Sequence, residues 1–312
     1  MKSLKIIFPI LFSILILSCT TNNLQPRQGY FNMPDGKIWY EVYGSGTKTP
    51  LLLNHGGPGA RSCYMSTIKG MAENRPIIFY DQLGSGRSEV TTDTTIWTLP
   101  CFVNDLDRLI DSLELDEVHL LGHSWGCAIA VDYYLTKKSD IVKSIILSGT
   151  YLSTKLWMED ANYLRSQLPD SIQQVMTYHE NNGTTDSDEY LSATAFFYDR
   201  HYSLTNPRPH YTECEGSKPN LSIYNYMWGP NEFLATGTLI NYDRIDRLGE
   251  IEVPVLLIAG EYDEARPETV SKLQKLFPNA HFKIVEDAAH AIYIDNPDEY
   301  NNTINDFLTT VE

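Results

Sequence analysis

Short apolar segments recur along the chain with enough residues between them for a helix, and this alternation restricts the possible folds more than any other feature. Apolar segments of four to six residues are typical of strands buried on both faces of a parallel sheet. Between two of them, at 99–113, apolar residues recur in steps of three and four, which predicts a helix with one apolar face. Strands that alternate with such helices predict a doubly wound, mostly parallel α/β sheet. The predicted strands are residues 51–54, 77–80, 118–121, 142–147, 255–259 and 282–285.

The alternation stops over residues 150–242, where Tyr, Asn, Ser and charged residues are frequent and the turn signals Asn-Asn-Gly and Asn-Pro-Arg-Pro occur. Because this stretch has no strong period of two, we expect a mainly helical cap inserted into the sheet domain. The core is then divided into residues 29–149 and 243–312. A turn signal at 34–36 precedes a β-prone run at 37–43, so the core is expected to open with a hairpin.

The N-terminus has the pattern of an export signal. Lys2 and Lys5 precede an apolar run at 6–17, which has the length of a signal peptide and is too short for a comfortable membrane span. The run ends in Ile-Leu-Ser-Cys at 16–19, which resembles the bacterial lipobox, where cleavage precedes a lipidated cysteine. We therefore expect a signal peptide at 1–18, lipidation of Cys19 and a tether at 19–28. The mature protein would be a membrane-anchored lipoprotein on the periplasmic or cell-surface side, the alternative being an uncleaved N-terminal anchor.

Charge and cysteine content exclude several classes of function. The chain has 24 Lys and Arg against 40 Asp and Glu, a formal charge of −16, which repels phosphate backbones and argues against nucleic-acid binding. Its five cysteines contain no C-x-x-C pair that would indicate zinc or redox chemistry, so we expect no metal site on this basis. Cys63 and Cys127 are expected to be small buried side chains. Whether Cys101 or Cys214 pairs in an exported chain is left open.

The pentapeptide Gly-His-Ser-Trp-Gly at 122–126 lies between a predicted strand and an apolar helical pattern. This is the context of the G-x-S-x-G nucleophile elbow, a tight turn that exposes the serine hydroxyl. Ser124 is therefore the candidate nucleophile, and a glycine-rich turn with an idle serine is the alternative.

A serine nucleophile needs an imidazole base and a carboxylate that fixes the tautomer of that base. In this fold the chain order is serine, acid, histidine, and sites lie where parallel strands end. Asp263 follows the strand at 255–259 and His290 follows the strand at 282–285, so we expect them to be the acid and the base. Glu261 and Asp287 are the rival acids. His281, at the start of a strand, is expected to be structural.

Attack by serine creates an oxyanion, which two backbone N–H groups must stabilise. One donor is expected from Trp125, directly after the nucleophile and at the start of a helix. The other is expected from Gly57 in the His-Gly-Gly-Pro-Gly segment at 55–59, which follows the first predicted parallel strand. A plain Gly/Pro turn is the alternative reading of that segment.

Three motifs in order carry a resemblance to a known family: His-Gly-Gly-Pro-Gly at 55–59, Asp-Gln-Leu-Gly-Ser-Gly-Arg-Ser at 81–88, and Gly-His-Ser-Trp-Gly at 122–126. Together they resemble the proline iminopeptidase family of α/β-hydrolases, over about residues 30–310. The resemblance implies an α/β-hydrolase fold with a cap. It also implies a serine peptidase, without a cofactor, that removes one residue from the free N-terminus of short peptides.

The cap segment at 227–233, Met-Trp-Gly-Pro-Asn-Glu-Phe, is similar to the tricorn-interacting aminopeptidase branch of that family. The similarity implies that Glu232 and Glu264 bind the substrate amine, with Tyr224 a further candidate for the same pocket. The alternatives are that Glu232 is a solvated charge on the cap and that Glu264 is a surface charge in a loop. The W-x-x-W-E motif of strictly prolyl enzymes is absent, so specificity for proline or for another apolar first residue stays open. Cap aromatic residues either line such a pocket or form plain core; they are Phe196, Phe197, Tyr198, Tyr226 and Trp228.

Two other functions remain compatible with the sequence. An esterase, amidase or lactonase would use the same three side chains without recognising an amine. A non-catalytic surface binding protein would keep the fold alone, although the presence of all three candidate catalytic residues argues against it.

Overall fold

The computed structural model describes residues 24–73, 75–137, 139–205 and 217–312. Its centre is an eight-stranded sheet in the order β1-β2-β4-β3-β5-β6-β7-β8. The antiparallel hairpin β1–β2 lies at one edge, where β2 pairs antiparallel with β4, and the strands β4, β3, β5, β6, β7 and β8 run parallel to one another. The strands are β1 (Arg27–Met33), β2 (Gly36–Tyr43), β3 (Leu51–Asn54), β4 (Ile77–Tyr80), β5 (Val118–His123), β6 (Val142–Ser148), β7 (Val255–Gly260) and β8 (Ala280–Val285).

The predicted fold class is confirmed, and each predicted parallel strand is present within two residues of its expected bounds. One expectation is wrong. The segment at 282–285 is not buried on both faces, because β8 is the edge strand of the sheet and exposes His281, Lys283 and Ile284. The expected hairpin is present, with β2 beginning at Gly36 directly after the turn.

Helices cover both faces of the sheet. Those of the described residues are α1 (Leu99–Ser112), α2 (Trp125–Thr136), α3 (Thr154–Ser166), α4 (Asp170–Asn182), α5 (Asp188–His201), α6 (Leu221–Met227), α7 (Pro267–Gln274), α8 (Ile292–Asp295) and α9 (Pro297–Val311). The apolar stripe predicted at 99–113 is the buried face of α1, which packs with α2 and α7 on one face of the sheet. A 3-10 segment, Ser62–Met71, packs with α8 and α9 on the other.

The stretch predicted as a cap carries α3 to α6 and has a small apolar core of its own, around Met176, Tyr190 and Phe197. The chain leaves the sheet domain and returns to it at one place, because Ser153 and Asp243 form an antiparallel bridge. Just beyond, Arg244 Nη2 lies 2.7 Å from Asp132 Oδ1 on α2. These contacts fix both ends of the inserted stretch above the carboxyl edge of the sheet.

The expectations about the N-terminus and the cysteines agree with the structure only in part. The predicted signal peptide and Cys19 lie outside the described residues. The predicted tether is too long by its last two residues, because Arg27 and Gln28 already pair with β2. Within the described ranges, no helix is long and apolar enough to cross a membrane. Cys63 is disulfide-bonded rather than a free buried filler.

Candidate active site

Ser124 lies at a sharp turn between β5 and α2. Its backbone has φ 53° and ψ −121°, a strained conformation for a residue with a side chain. The turn is possible because Gly126 lets it pack against β3: a Cβ on Gly126 would lie 1.9 Å from the carbonyl oxygen of Asn54. The hydroxyl-bearing residue is thereby placed at the carboxyl edge of the sheet, half-buried at the wall of a cavity.

Asp263 and His290 meet at the same edge from the loops after β7 and β8. The distance from Asp263 Oδ1 to His290 Nδ1 is 2.8 Å, and both side chains are buried. Asp263 also accepts hydrogen bonds from the backbone N–H groups of Ala265 and Gly260, at 2.8 and 3.3 Å. A carboxylate oxygen accepts, so Nδ1 carries the ring proton and Nε2 is left as the basic nitrogen.

The rival acids are held elsewhere. Glu261 and Asp287 are exposed, and the Asp287 backbone N–H donates to Glu261 Oε2 at 3.3 Å. His281 is exposed on β8, where its ring lies 6.3 Å from that of Phe307. Of the candidate acids, the structure therefore brings Asp263 to His290.

Ser124 and His290 line the same open cavity. Among the described residues no hydrogen bond joins their two side chains. Catalytic hydrogen bonds are often long without substrate and shorten in the complex, so this geometry is compatible with proton transfer between them.

Gly57 and Trp125, the two candidate oxyanion donors, line a common recess with Ser124. Gly57 lines the cavity with φ +38°, and in the described part of the chain no hydrogen bond occupies its N–H. Trp125 is the first residue of α2, and the first N–H groups of a helix have no partner within it. The two N–H groups are therefore available to a ligand atom in this cavity.

Gln82 is a site residue that the sequence reasoning missed. Its Nε2 donates to the His55 carbonyl oxygen at 2.9 Å, and its Oε1 accepts from the indole Nε1 of Trp125 at 3.0 Å. It joins the loop of Gly57 to the nucleophile turn. The signal was its place beside Asp81 in the motif at 81–88. There Asp81 pairs with Arg87, whose Nε lies 3.1 Å from Asp81 Oδ2.

Two carboxylates and a tyrosine, the candidate amine-binding residues, lie in the same cavity. Tyr224 Oη donates to Glu232 Oε1 at 2.5 Å, and Glu264 Oε1 lies 3.8 Å from His290 Nε2. All three residues line the cavity with Ser124. Burial raises the pKa of Glu232, while the Tyr224 hydrogen bond and the nearby His290 oppose that rise. The structure thus gathers the three candidate amine-binding residues beside the nucleophile.

A narrow aromatic recess opens beside Ser124. It is lined by Tyr151, Trp157 and Trp228, with ring centroids 5.6 Å apart for Tyr151 and Trp228 and 6.3 Å apart for the two tryptophans. Of the cap aromatic residues considered from the sequence, Trp228 lines this recess. Phe197 packs instead in the cap core, 4.4 Å from Phe233, and Tyr226 lies against Trp97 at the surface. Tyr151 and Trp157 were missed because they lie far from every motif.

Comparisons with known proteins give matches over most of the chain. A family model described as the alpha/beta hydrolase fold matches residues 49–297. The proline iminopeptidase of Heyndrickxia coagulans is 41% identical over 287 residues, covering 91% of this chain and 99% of that protein. The crystal structure of the proline iminopeptidase of Mycobacterium smegmatis has a TM-score of 0.83 and 31% identity, covering 91% of this chain and 98% of that one. VinJ, another crystal structure, has a TM-score of 0.86 and 29% identity, covering 92% and 100%.

Proposed function

The chain belongs to the proline iminopeptidase family of α/β hydrolases and is a serine aminopeptidase, and we propose that Ser124, His290 and Asp263 carry out its reaction on short peptides with a free N-terminus. One observation carries this assignment. His290, which is hydrogen-bonded to Asp263, lines one cavity together with Ser124 and with the carboxylates of Glu232 and Glu264.

In the proposed reaction, Ser124 Oγ attacks the first peptide carbonyl carbon while His290 Nε2 takes the hydroxyl proton. The N–H groups of Gly57 and Trp125 donate to the oxyanion that forms. His290 then gives the proton to the leaving nitrogen, the C–N bond breaks, and the shortened peptide departs. Water deprotonated by His290 hydrolyses the acyl-enzyme, releasing the first residue and restoring Ser124. Asp263 holds the imidazole in its reactive tautomer throughout.

We propose that Glu232 and Glu264 bind the substrate ammonium, with Tyr224 orienting Glu232. Carboxylates near a nucleophile are the groups that recognise an amine through charge-assisted hydrogen bonds. The cap segment at 227–233 is similar to the tricorn-interacting branch of the family, and the position of Glu232 in the cavity supports the same use here. The bond of 2.5 Å from Tyr224 Oη fixes one oxygen of Glu232.

We also propose that the aromatic recess receives the side chain of the first residue. Tyr151, Trp157 and Trp228 supply apolar faces around a narrow space that Ser124 and Glu232 also line. A compact apolar side chain such as the proline ring suits this recess better than a charged one does. The absence of W-x-x-W-E therefore does not argue against proline, since Trp157 and Trp228 come together through the fold.

The amine assignment is tested with paired substrates that carry either a free or an N-acetylated amine. Glu232→Gln is expected to raise KM at least about tenfold for the free-amino series, because a charge-assisted contact of about 1.5–3 kcal/mol is lost. It should leave the slow turnover of N-acetylated substrates unchanged. Glu159→Gln, an exposed glutamate on α3, is the matched control. Equal losses in both series would indicate an esterase or amidase that ignores the amine.

We propose, from the sequence, that the protein is exported and lipidated at Cys19. The disulfide bond of Cys63 supports export, because disulfides persist in oxidising compartments. Metabolic labelling with an alkyne fatty acid should mark the wild type and the Cys101→Ser control and leave Cys19→Ser unlabelled. Equal labelling of Cys19→Ser and the wild type would contradict lipidation at this position.

A further inference from the structure

His123, directly before the nucleophile, has both ring nitrogens engaged. Its Nε2 lies 3.2 Å from the carbonyl oxygen of His290, and its Nδ1 lies 2.9 Å from Tyr64 Oη. A carbonyl oxygen can only accept, so Nε2 carries the proton. Nδ1 is then the acceptor, and the Tyr64 hydroxyl donates to it. The ring is buried, and neither contact involves Ser124.

The Tyr64 hydroxyl has a second contact that reaches the loop of Gly57. It accepts a hydrogen bond from the backbone N–H of Gly56. Glycine is required at this approach, because a Cβ on Gly56 would lie 2.9 Å from both Tyr64 Oη and His123 Nδ1. A continuous series of hydrogen bonds therefore runs from Gly56, through Tyr64 and His123, to the main chain of His290.

The series requires a neutral His123. Burial and the neighbouring His290 ring hold the pKa of His123 well below its usual range. The two ring centroids are 4.7 Å apart, so a charged His123 would oppose the imidazolium that His290 becomes during the reaction. Protonation of Nδ1 would also remove the acceptor for the Tyr64 hydroxyl.

We propose that Tyr64 and His123 are positioning residues. They hold the loop of Gly57 (residues 55–59, the oxyanion loop) and the loop of His290 in a fixed position relative to each other and to the nucleophile turn. The inference rests on the proposed roles of Ser124, Gly57 and His290. It assigns a function to two side chains that transfer no proton to the substrate. The loops of Gly57 and His290 are far apart in the chain, and the reaction requires both to be positioned to within a fraction of an ångström at the same time. This series of hydrogen bonds joins them directly.

Single and double substitutions test the proposal. Tyr64→Phe keeps the ring and removes the hydroxyl that serves Gly56 and His123. His123→Gln offers an amide N–H near the position of Nε2, whereas His123→Asn offers an oxygen near that of Nδ1. We expect Tyr64→Phe and His123→Asn each to lower kcat about tenfold, with KM within about twofold of the wild type. His123→Gln, which can still reach the His290 carbonyl, should retain more activity than His123→Asn.

The series also predicts non-additivity. Tyr64→Phe combined with His123→Asn should lose clearly less than the product of the two single losses, because both interrupt one series. Tyr133→Phe, which removes a hydroxyl from another fully buried tyrosine outside the cavity, should keep kcat near the wild-type value. If the double variant does not fold, the single variants and this control decide the matter.

The readout must be independent of amine recognition. Turnover of 4-nitrophenyl acetate and inactivation by a fluorophosphonate both need the oxyanion loop and His290 but no ammonium group. With both reagents we expect the rate to fall by the same factors as with the peptide substrates. A Tyr64→Phe enzyme within twofold of wild type, a change in KM alone, or independent multiplication of the two losses would overturn the proposal. If these losses are observed but Glu232→Gln leaves KM for free-amino substrates unchanged, only the assignment of Glu232 and Glu264 is contradicted.

Discussion

The hydrogen bond of 2.8 Å between Asp263 and His290 determines which ring nitrogen of the histidine is basic. Asp263→Asn would offer an amide in place of a carboxylate and favour the wrong tautomer. We expect kcat to fall by about 10³ to 10⁴ with little change in KM, as for carboxylates in this role. Assays with an aminoacyl 2-naphthylamide measure it. Asp287→Asn is the control, and equal losses in the two variants would contradict the assignment of the acid.

Glu232 predicts a pH dependence confined to substrates with a free amine. The raised pKa means that the carboxylate is protonated at a higher pH than an ordinary glutamate. Amine binding is complete above that pKa and is lost as the pH falls through it, so KM for free-amino substrates should rise on acidification. N-acetylated substrates should show no such rise in KM. Persistence of the rise in Glu232→Gln would place the titrating group elsewhere.

At the scale of single residues, the sequence predicted those side chains that lie in a motif or shortly after a strand. Ser124, Asp263 and His290 follow strands, and the ends of parallel strands meet at one edge. Gln82, Tyr151 and Trp157 were not found. Their roles depend on contacts between segments that the motifs do not mark, such as the bond of 3.0 Å from the Trp125 indole to Gln82 Oε1.

Among the structural elements, Asp295 at the end of α8 joins the cap to the His290 loop. Its carboxylate accepts from the backbone N–H groups of Leu204, Thr205 and Ala289, each at 3.0 Å at its shorter contact. One side chain therefore fixes the segment after α5 to the residue before the candidate base.

Asp295→Asn should destabilise both segments together, since its amide N–H₂ replaces an oxygen that accepts several hydrogen bonds. We expect the free energy of unfolding to fall by about 1.5–3 kcal/mol and amide exchange to rise at 203–205 and at 289–290. Hydrogen exchange read by mass spectrometry measures both. Asp298→Asn, exposed in the first turn of α9, is the control. Faster exchange in one segment without the other would contradict a shared support.

The elements themselves followed from hydrophobic pattern wherever one pattern dominated. The stripe at 99–113 matches α1, and the apolar run at 51–54 coincides with β3. The pattern failed at β8, because an apolar run does not reveal that its strand lies at the edge of the sheet. It also gave no helix bounds in the cap, where α4 and α5 expose much of their surface and bury few side chains.

At the scale of the whole molecule, the buried His119 allows a prediction of how the free energy of unfolding depends on pH. Burial, together with Arg75, lowers the pKa of His119 to about 4. Above about pH 6.5, its unfolded value, the residue is neutral in both states and has no effect. As the pH falls from there towards 4, the unfolded state binds a proton that the folded state excludes, so stability is lost.

His119→Asn, which keeps an oxygen or N–H near Ser144, should therefore lose less stability on acidification than the wild type. The difference in the free energy of unfolding between the two proteins should shift by about 1–2 kcal/mol between pH 7 and pH 5. Thermal or urea unfolding at both pH values measures it. Burial also raises the pKa of Asp105 to about 7 and that of Asp160 to about 6, but both proteins carry these groups, so their titration cancels in the comparison. A constant difference would show that His119 does not titrate as described.

The general architecture was accessible from sequence because one long alternation determines the sheet and one insertion interrupts it. The cavity was not, since it forms between the cap and the carboxyl edge from residues as distant as Gly57, Glu232 and His290. Its shape depends on packing across that boundary rather than on any local pattern.

The most direct test of the account is the turnover of prolyl 2-naphthylamide by Ser124→Ala. Loss of the attacking oxygen should lower kcat/KM at least about 10⁴-fold, while the protein stays folded. A variant that retained turnover within about tenfold of wild type would show that the reaction does not pass through this hydroxyl.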